Sequence, residues 1–155
     1  MMHLMQLTRF ADLGLRVLMY LSQHERPEPI TIHEIAEQFQ VPANHLAKVV
    51  LRLGQLGWVS TLRGRRGGLR LAVPAADIRI GTVIEQLEAD EHLIDCDALA
   101  CVLTGQCGLI KVLDAAQKAF YQHLNQHTLA DVSRKKTAQA IVHMHRDYLS
   151  RHTDH

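Results

Sequence analysis

The chain has 155 residues, nearly half of them hydrophobic, and a formal net charge of +1. This length suits one domain, or a small domain with an appended element. No apolar run approaches the roughly 20 residues that a membrane helix needs, and the start of the chain lacks the pattern of a signal peptide. We therefore expect a cytoplasmic protein with no membrane partner, in a compartment that keeps thiols reduced.

The small net charge hides a strong asymmetry along the chain. Residues 42–76 contain no Asp or Glu and carry a charge of +6, whereas residues 77–101 carry a charge of −6. A concentrated basic segment indicates a polyanionic partner. A solvated basic face is the common alternative, and the shape predicted for the segment decides between the two.

The first predicted element is a helix over about residues 7–24, in which apolar residues recur at three- and four-residue steps. Asp12 and Arg16 lie four residues apart, so they share a face of this helix. From spacing alone, the simplest interpretation of Asp12 is a surface ion pair with Arg16.

Two further helices are predicted over residues 31–39 and about 43–56, with a short turn between them. Thr31 and Glu34 form the pattern of a capping box at the start of the first of these helices. Such a pair is typical of a helix-turn-helix, whose second helix enters the major groove of DNA. Outward side chains suited to bases or phosphates are the candidate DNA contacts: Asn44, His45, Lys48 and Arg52.

Alternating residues over 58–62 and 69–73, joined by a turn rich in glycine and arginine, predict a β-hairpin. No helix follows this turn, so neither nucleotide-binding fingerprint applies. A helix-turn-helix followed at once by a basic-tipped hairpin is a winged helix. Arg65 and Arg66 at its tip would reach phosphates or a minor groove. Each of these side chains alone would pass for a solvated one, but together they predict binding to double-stranded DNA.

A short helix over 79–87 and a long helix over about 109–127 complete the predicted order. The long helix carries an apolar stripe outside the compact winged helix. The same helix of a second subunit is its simplest partner, because a two-fold homodimer fits a palindromic site. The alternative is that the stripe packs back on its own domain.

The predicted fold is therefore mainly α with a small β-hairpin: a winged helix-turn-helix domain plus a long C-terminal dimerisation helix. The DNA-binding domain is expected over residues 1–78, and the cysteine loop with the dimerisation helix over 79–132. Residues 133–155 are charged and rich in histidine, and we expect them to form a flexible tail.

Every cysteine of the chain lies in one stretch of 12 residues: Cys96, Cys101 and Cys107. Three cysteines cannot all pair as disulfides. Spacing alone leaves a zinc site, an iron–sulfur cluster and no metal as interpretations, and the wide gaps between the cysteines slightly favour the bulkier cluster. A cysteine nucleophile would need a positioned base, and no local signature of a cysteine hydrolase is present. We therefore do not expect an enzyme.

Taken together, these motifs resemble the IscR/NsrR-type winged-helix iron–sulfur transcriptional regulators. The resemblance covers about residues 5–132, and the segments that carry it, beside the three cysteines, are residues 5–16, 41–48, 63–71 and 128–132. The IscR branch has a histidine ligand three residues after the last cysteine, where this chain has Ile110. Asp12 matches the aspartate that the other subunit supplies in the NsrR branch. The gap between the first two cysteines is the shorter form found in the family.

The resemblance implies a [4Fe–4S] cluster, with a [2Fe–2S] cluster as the alternative, on a ligand set shared by two subunits. The implied ligands are Cys96, Cys101 and Cys107 of one subunit and Asp12 of the partner subunit. The implied protein is a homodimeric repressor that binds palindromic operator DNA and releases this DNA when nitric oxide nitrosylates the cluster. A regulator of the same family that senses iron or cluster supply is the alternative, and a zinc-stabilised DNA-binding module without a sensing role is another.

Overall fold

A computed structural model of the chain describes residues 6–64, 67–88, 93–96 and 100–153. Its elements, in chain order, are α1 Arg9–Leu21, α2 Ile32–Gln38, α3 Ala43–Gln55, β1 Val59–Leu62, β2 Gly68–Leu71, a 3-10 turn at Ala75–Asp77, α4 Ile80–Glu88, α5 Gly108–Leu124, α6 Leu129–Val132 and α7 Lys135–His152. The predicted fold class, mainly α with a small antiparallel hairpin, is confirmed. Within the described residues, no helix is both long enough and apolar enough to cross a membrane.

Helix α1 forms the centre of the core. Its residues Val17, Leu18 and Tyr20 are fully buried, and the helix packs against α3, α4 and β2. Thr8 caps its N-terminus by accepting a hydrogen bond from the Ala11 N–H at 3.2 Å. The Thr8 hydroxyl also donates to Glu88 Oε1 at 2.8 Å, so the cap fixes the end of α4 against the start of α1.

Helix α2 begins with only half of the predicted capping box. The Thr31 hydroxyl accepts a hydrogen bond from the Glu34 N–H at 3.1 Å. The Glu34 carboxylate does not return to the cap, because it is turned into the core, where it accepts from the Tyr20 hydroxyl and pairs with Arg26. Long-range partners therefore override the local motif at this position.

The hairpin is fastened to the entry of α2. Its register pairs Val59 with Leu71 and Thr61 with Leu69, and the Leu69 N–H also donates to the Ile30 carbonyl oxygen at 2.7 Å. Gly68 has a φ of +142° and lies against the backbone of Ile30, where a side chain would collide. The wing therefore has a fixed position relative to the helix-turn-helix.

Helix α5 makes its closest contact with the core at α4. Gly81 of α4 lies against the backbone of Tyr121, with no space for a Cβ atom. Asn125, which follows α5, accepts hydrogen bonds on Oδ1 from the N–H and the hydroxyl of Thr82, at 2.7 and 3.2 Å. These contacts hold one side of α5, and they leave its other side facing outward.

The prediction of a flexible tail is wrong for residues 135–152, which form helix α7. Ile141 and His145 of α7 are buried, and Met144 packs against the core. Residues three and four apart share a helix face, so these side chains form one stripe. The helical spacing of these residues is present in the sequence. It was not taken as a core stripe because one of its members is a histidine and the neighbouring residues are charged.

Candidate DNA-binding and cluster-binding sites

Helix α3 presents the predicted recognition residues on its outer face. Leu46, Val49, Val50 and Leu53 are buried, which turns the opposite side of the helix to solvent. Asn44, His45 and Lys48 are exposed there, and Arg52 is half-buried further along. Asn44 Oδ1 accepts a hydrogen bond from the His45 N–H at 3.0 Å. The predicted α3 contacts therefore share one accessible surface, and their roles in DNA binding stay a prediction.

An open groove of about 650 Å³ lies between the N-termini of α2 and α3 and the hairpin. Its polar lining includes Asn44, Thr31, His33 and Thr61, of which only Asn44 was among the sequence-based candidates. None of the described residues that line the groove is acidic. Thr31 and His33 stand at the first turn of the helix preceding the recognition helix, and that position in the motif was the signal that could have identified them.

The positive charge around this groove comes from two elements. Pro42 precedes α3 without a side-chain cap, so the positive end of the helix is open to an anion. Arg63 of the hairpin is exposed and follows the lining residue Leu62, whereas Arg70 is exposed on the strand face opposite the lining residue Leu69. The predicted wing-tip contacts Arg65 and Arg66 lie outside the described residues, and their role stays a prediction.

The cysteine loop leads directly into α5. Cys96, Cys101 and Cys107 carry thiols, with no disulfide among them, and each is half-buried. The Cys101 N–H donates to the Cys96 carbonyl oxygen at 3.2 Å, so the backbones of the first two cysteines are in direct contact. Cys107 stands at the N-cap of α5, where the positive end of a helix favours a negatively charged group.

The donor set fits an iron–sulfur cluster in its chemistry. Three thiol side chains supply the soft ligands that such a cluster needs. Within the described part of this single chain, however, no three His, Cys, Asp or Glu side chains are gathered closely enough to hold a metal ion. The segment between Cys101 and Cys107 is also open to solvent, since its Val102 is 97% exposed. A complete site therefore requires rearrangement of the loop, a ligand from elsewhere, or both.

Asp12, the predicted fourth ligand, forms the surface ion pair that its spacing predicts. Arg16 Nε donates to Asp12 Oδ1 at 2.9 Å, and the side chains of Arg16 and Asp12 are 49% and 45% exposed. Ile110 lies in the first turn of α5, where its side chain offers no ligand atom. Ligation by Asp12 of the partner subunit stays a prediction.

Comparisons with known proteins agree with this architecture. The family model for Rrf2, described as iron-dependent transcriptional regulator, matches residues 7–135. The regulator NsrR of Bacillus subtilis is 42% identical over 135 residues, which cover 85% of this chain and 92% of that protein. NsrR of Geobacillus kaustophilus is 42% identical over 131 residues, which cover 83% of this chain and 89% of that protein.

Solved structures show the same fold. CymR, the global cysteine regulator of B. subtilis, has a TM-score of 0.68 at 21% identity and covers 84% of this chain and 97% of its own. The IscR structure of T. potens has a TM-score of 0.65 at 25% identity and covers 83% of this chain and 85% of its own. The chain belongs to the Rrf2 family, whose members are DNA-binding transcriptional regulators and not enzymes, and it is a transcriptional regulator of the IscR/NsrR type.

Proposed function

We propose that this protein is a repressor that senses nitric oxide through an iron–sulfur cluster. It binds palindromic operator DNA as a homodimer and releases the operator when nitric oxide reacts with the cluster. The observation that carries the proposal is the likeness to NsrR over 85% of the chain. It is supported by Ile110, which stands where the IscR branch has a histidine ligand.

The DNA contacts follow from the groove beside α3. Asn44 and Lys48 present an amide and an ammonium group on the exposed face of α3, and these groups suit adenine edges and guanine or phosphate. Thr31 and His33 stand across the groove at the start of α2, where they would contact the DNA backbone. Base recognition is therefore assigned to α3, and positioning on the backbone to the groove and the hairpin.

The homodimer follows from the outward face of α5. Leu109, Val112 and Phe120 share one face of the helix and are 57%, 64% and 39% exposed. The neighbouring face packs on the core through Tyr121 and Leu124. A second copy of α5 would cover the exposed stripe, and a two-fold axis would then present two recognition helices to the two halves of a palindrome.

The sensing site would use residues of both subunits. Cys96, Cys101 and Cys107 of one subunit and Asp12 of the partner subunit would hold a [4Fe–4S] cluster, with a [2Fe–2S] cluster as the alternative. When bound, the cluster supplies the iron with which nitric oxide reacts. A carboxylate is a harder ligand than a thiolate, so Asp12 is the ligand most easily given up.

Release of Asp12 would be communicated to DNA through α1. Asp12 lies on α1, which packs directly against the recognition helix α3. Loss of the bond between Asp12 and the cluster would therefore uncouple one winged helix from the cysteine loop of the other subunit. This is a two-state change of the kind that switching requires. A loss of one to two orders of magnitude in affinity corresponds to about 1.4–2.8 kcal/mol, within the usual range of coupling energies.

The test begins with the full chain purified without oxygen, on which iron, sulfide and molar mass are measured. About four irons per chain support the [4Fe–4S] form and about two support the [2Fe–2S] form. An operator is selected from a random duplex library, and its dissociation constant is measured by fluorescence anisotropy before and after stoichiometric nitric oxide. We expect a dimer whose operator affinity falls at least about tenfold.

Asn44→Ala is compared with Gln55→Ala, an exposed position near the end of the same helix, to show that α3 reads the operator. Asn44→Ala should relax base preference, and Gln55→Ala should not.

A dissociation constant that nitric oxide leaves unchanged would contradict the sensing role. The family description as iron-dependent supports the second candidate, a regulator of iron or cluster supply. That protein would lose its operator under iron depletion and ignore nitric oxide.

A further inference from the structure

Helix α7 packs against α2, the first helix of the helix-turn-helix. Helix α2 has seven residues, and a helix of two turns is not stable in water without tertiary packing. Its buried residues Ile35 and Ala36 provide part of that packing. Helix α3 supports α2 on one side and α7 supports it on another, so the orientation of α2 depends on both.

The polar contacts between these two helices lie at the end of α2. Gln38 Nε2 donates to the Met144 carbonyl oxygen at 3.2 Å. Arg151 Nη1 donates to Glu37 Oε1 at 2.6 Å, and His152 Nε2 lies 3.1 Å from Glu37 Oε2. Two consecutive side chains of α2 are thus held by three residues of α7.

A second set of contacts lies deeper, where α1, α2 and α7 meet. The buried Glu34 carboxylate accepts from the Tyr20 hydroxyl and pairs with Arg26. Arg26 also donates to the His145 carbonyl oxygen at 3.5 Å. His145 Nε2 donates to the Tyr20 carbonyl oxygen at 3.1 Å. Helix α7 is therefore connected to the same buried groups that fix α2 on α1.

The opposite end of α2 is the end that lines the groove. Thr31 and His33 stand there, facing the hairpin and the start of α3. Helix α2 is about 10 Å long at 1.5 Å per residue, so only two turns of continuous helix separate its two ends. A tilt at Glu37 would therefore displace the groove residues at the other end.

We propose that α7 positions α2 for DNA binding, with Glu37, Gln38 and Arg151 as positioning residues that do not touch the DNA. This inference rests on the proposed assignment of the groove to DNA. Recognition of base edges requires a fixed orientation of the protein on the duplex, whereas non-specific attraction to phosphates depends mainly on charge. Loss of the α7 contacts should therefore reduce the preference for operator over unrelated DNA.

The experiment compares the double variant Glu37→Ala/Gln38→Ala with Arg151→Met in the full chain. Alanine has the highest helix propensity, so the double variant removes the contacts without weakening α2 itself. Arg146→Met is the matched control, because Arg146 is an exposed arginine of the same helix with no ion pair among the described residues. Fluorescence anisotropy gives the dissociation constants for the selected operator and for an unrelated duplex of equal length. Circular dichroism gives Tm.

We expect the operator dissociation constant to rise about 5- to 20-fold in the double variant and about 2- to 5-fold in Arg151→Met. The constant for the unrelated duplex should change much less, and Arg146→Met should match the wild type in both. Faster hydrogen exchange in α2, with exchange in α4 unchanged, should accompany the loss.

Two different failures can be told apart. If the wild-type chain prefers no duplex over any other, the proposed function is overturned, and the positioning role with it. If the wild type prefers its operator, and the double variant and Arg151→Met keep the same preference, only the positioning role is overturned. An equal loss of operator and unrelated binding, with a lowered Tm, would also overturn it, because α7 would then serve stability alone.

Discussion

Glu34 carries a buried charge whose removal should be strongly destabilising. Its side chain is almost wholly inaccessible, and that of its partner Arg26 is only 10% exposed. Glu34→Ala would leave the guanidinium without its carboxylate and the Tyr20 hydroxyl without its acceptor. Removing one partner of a buried ion pair costs about 3–5 kcal/mol, and an orphaned buried hydroxyl adds about 1–3 kcal/mol. Arg26 also donates to the Pro29 carbonyl oxygen, which limits the loss, so we expect a total of about 3–5 kcal/mol.

The measurement is urea unfolding of the full chain followed by circular dichroism. Protomer concentration is held constant, because association shifts apparent stability. Thermal unfolding of the same samples gives Tm, and at about 2–4 °C per kcal/mol for a chain of this size its expected decrease is about 6–20 °C. Glu37→Ala is the control, since Glu37 lies on the same helix with an exposed ion pair, and it should lose no more than about 1 kcal/mol.

The double variant Arg26→Met/Glu34→Leu separates the loss of a charge from the loss of packing. Replacing both members of a buried pair with apolar residues is often close to neutral, so this variant should be much more stable than Glu34→Ala. Equal losses in Glu34→Ala and Glu37→Ala would refute the reasoning, because burial would then have no effect on the value of the pair.

Two further predictions concern packing and pH. Gly81→Ala should lower the free energy of unfolding by about 1–3 kcal/mol, because the added Cβ would collide with the Tyr121 backbone and lie 2.6 Å from Asn125 Oδ1. Urea unfolding measures this loss. The control is Gly54→Ala at an exposed position, which should lose no stability. Burial lowers the pKa of His145 below its ordinary value of 6.5, with the charge of Arg26 acting in the same direction. Between its two pKa values, His145 binds a proton in the unfolded chain but not in the folded chain. The stability that comes from burying the neutral imidazole is therefore complete above pH 6.5 and is lost as the pH falls below it. Comparing wild type with His145→Asn from pH 7.5 to 5.5 should show the steeper decline in the wild type, and parallel curves would contradict the assignment.

The winged helix was predictable because local and long-range signals agree in it. The apolar faces predicted for α1, α3 and the hairpin each need a surface to pack against, and all three pack in the same core. The boundaries shifted by a few residues, as α1 shows: it ends at Leu21, whereas the helix was predicted to extend to about residue 24. Helix ends are decided by caps and neighbours more than by periodicity.

Helix α7 and Glu34 were missed for a common reason. His145 is buried because the Tyr20 carbonyl oxygen accepts its N–H, and Glu34 is buried because Tyr20 and Arg26 lie beside it. Hydropathy assigns both residue types to the surface, and a polar side chain enters a core only when its partners are already there. Those partners are distant in sequence, so the local pattern could not show that His145 and Glu34 enter the core. The cysteine spacing likewise indicated the chemistry of the site without its geometry.

In the proposed function, Asp12 exchanges one partner for another: Arg16 of its own chain for the cluster of the partner subunit. In the single chain it pairs with Arg16, and both side chains are about half exposed. Such a pair contributes at most about 1 kcal/mol, so Asp12 can leave Arg16 for the partner subunit's cluster at little energetic cost. If the cluster were lost, we expect Asp12 to pair with Arg16 again.

Substitutions at these two positions should therefore have different effects on the cluster and similar effects on the fold. Asp12→Ala and Arg16→Ala should each change the free energy of unfolding of the apo chain by no more than about 1 kcal/mol. Only Asp12→Ala should lose its visible absorption in air faster than the wild type, because only Asp12 offers a ligand atom. Suppose instead that the visible absorption of Asp12→Ala decayed at the wild-type rate and its iron content matched the wild type. The fourth ligand would then be a group other than Asp12. The link between the cluster loop and the opposite winged helix would then have no residue to carry it.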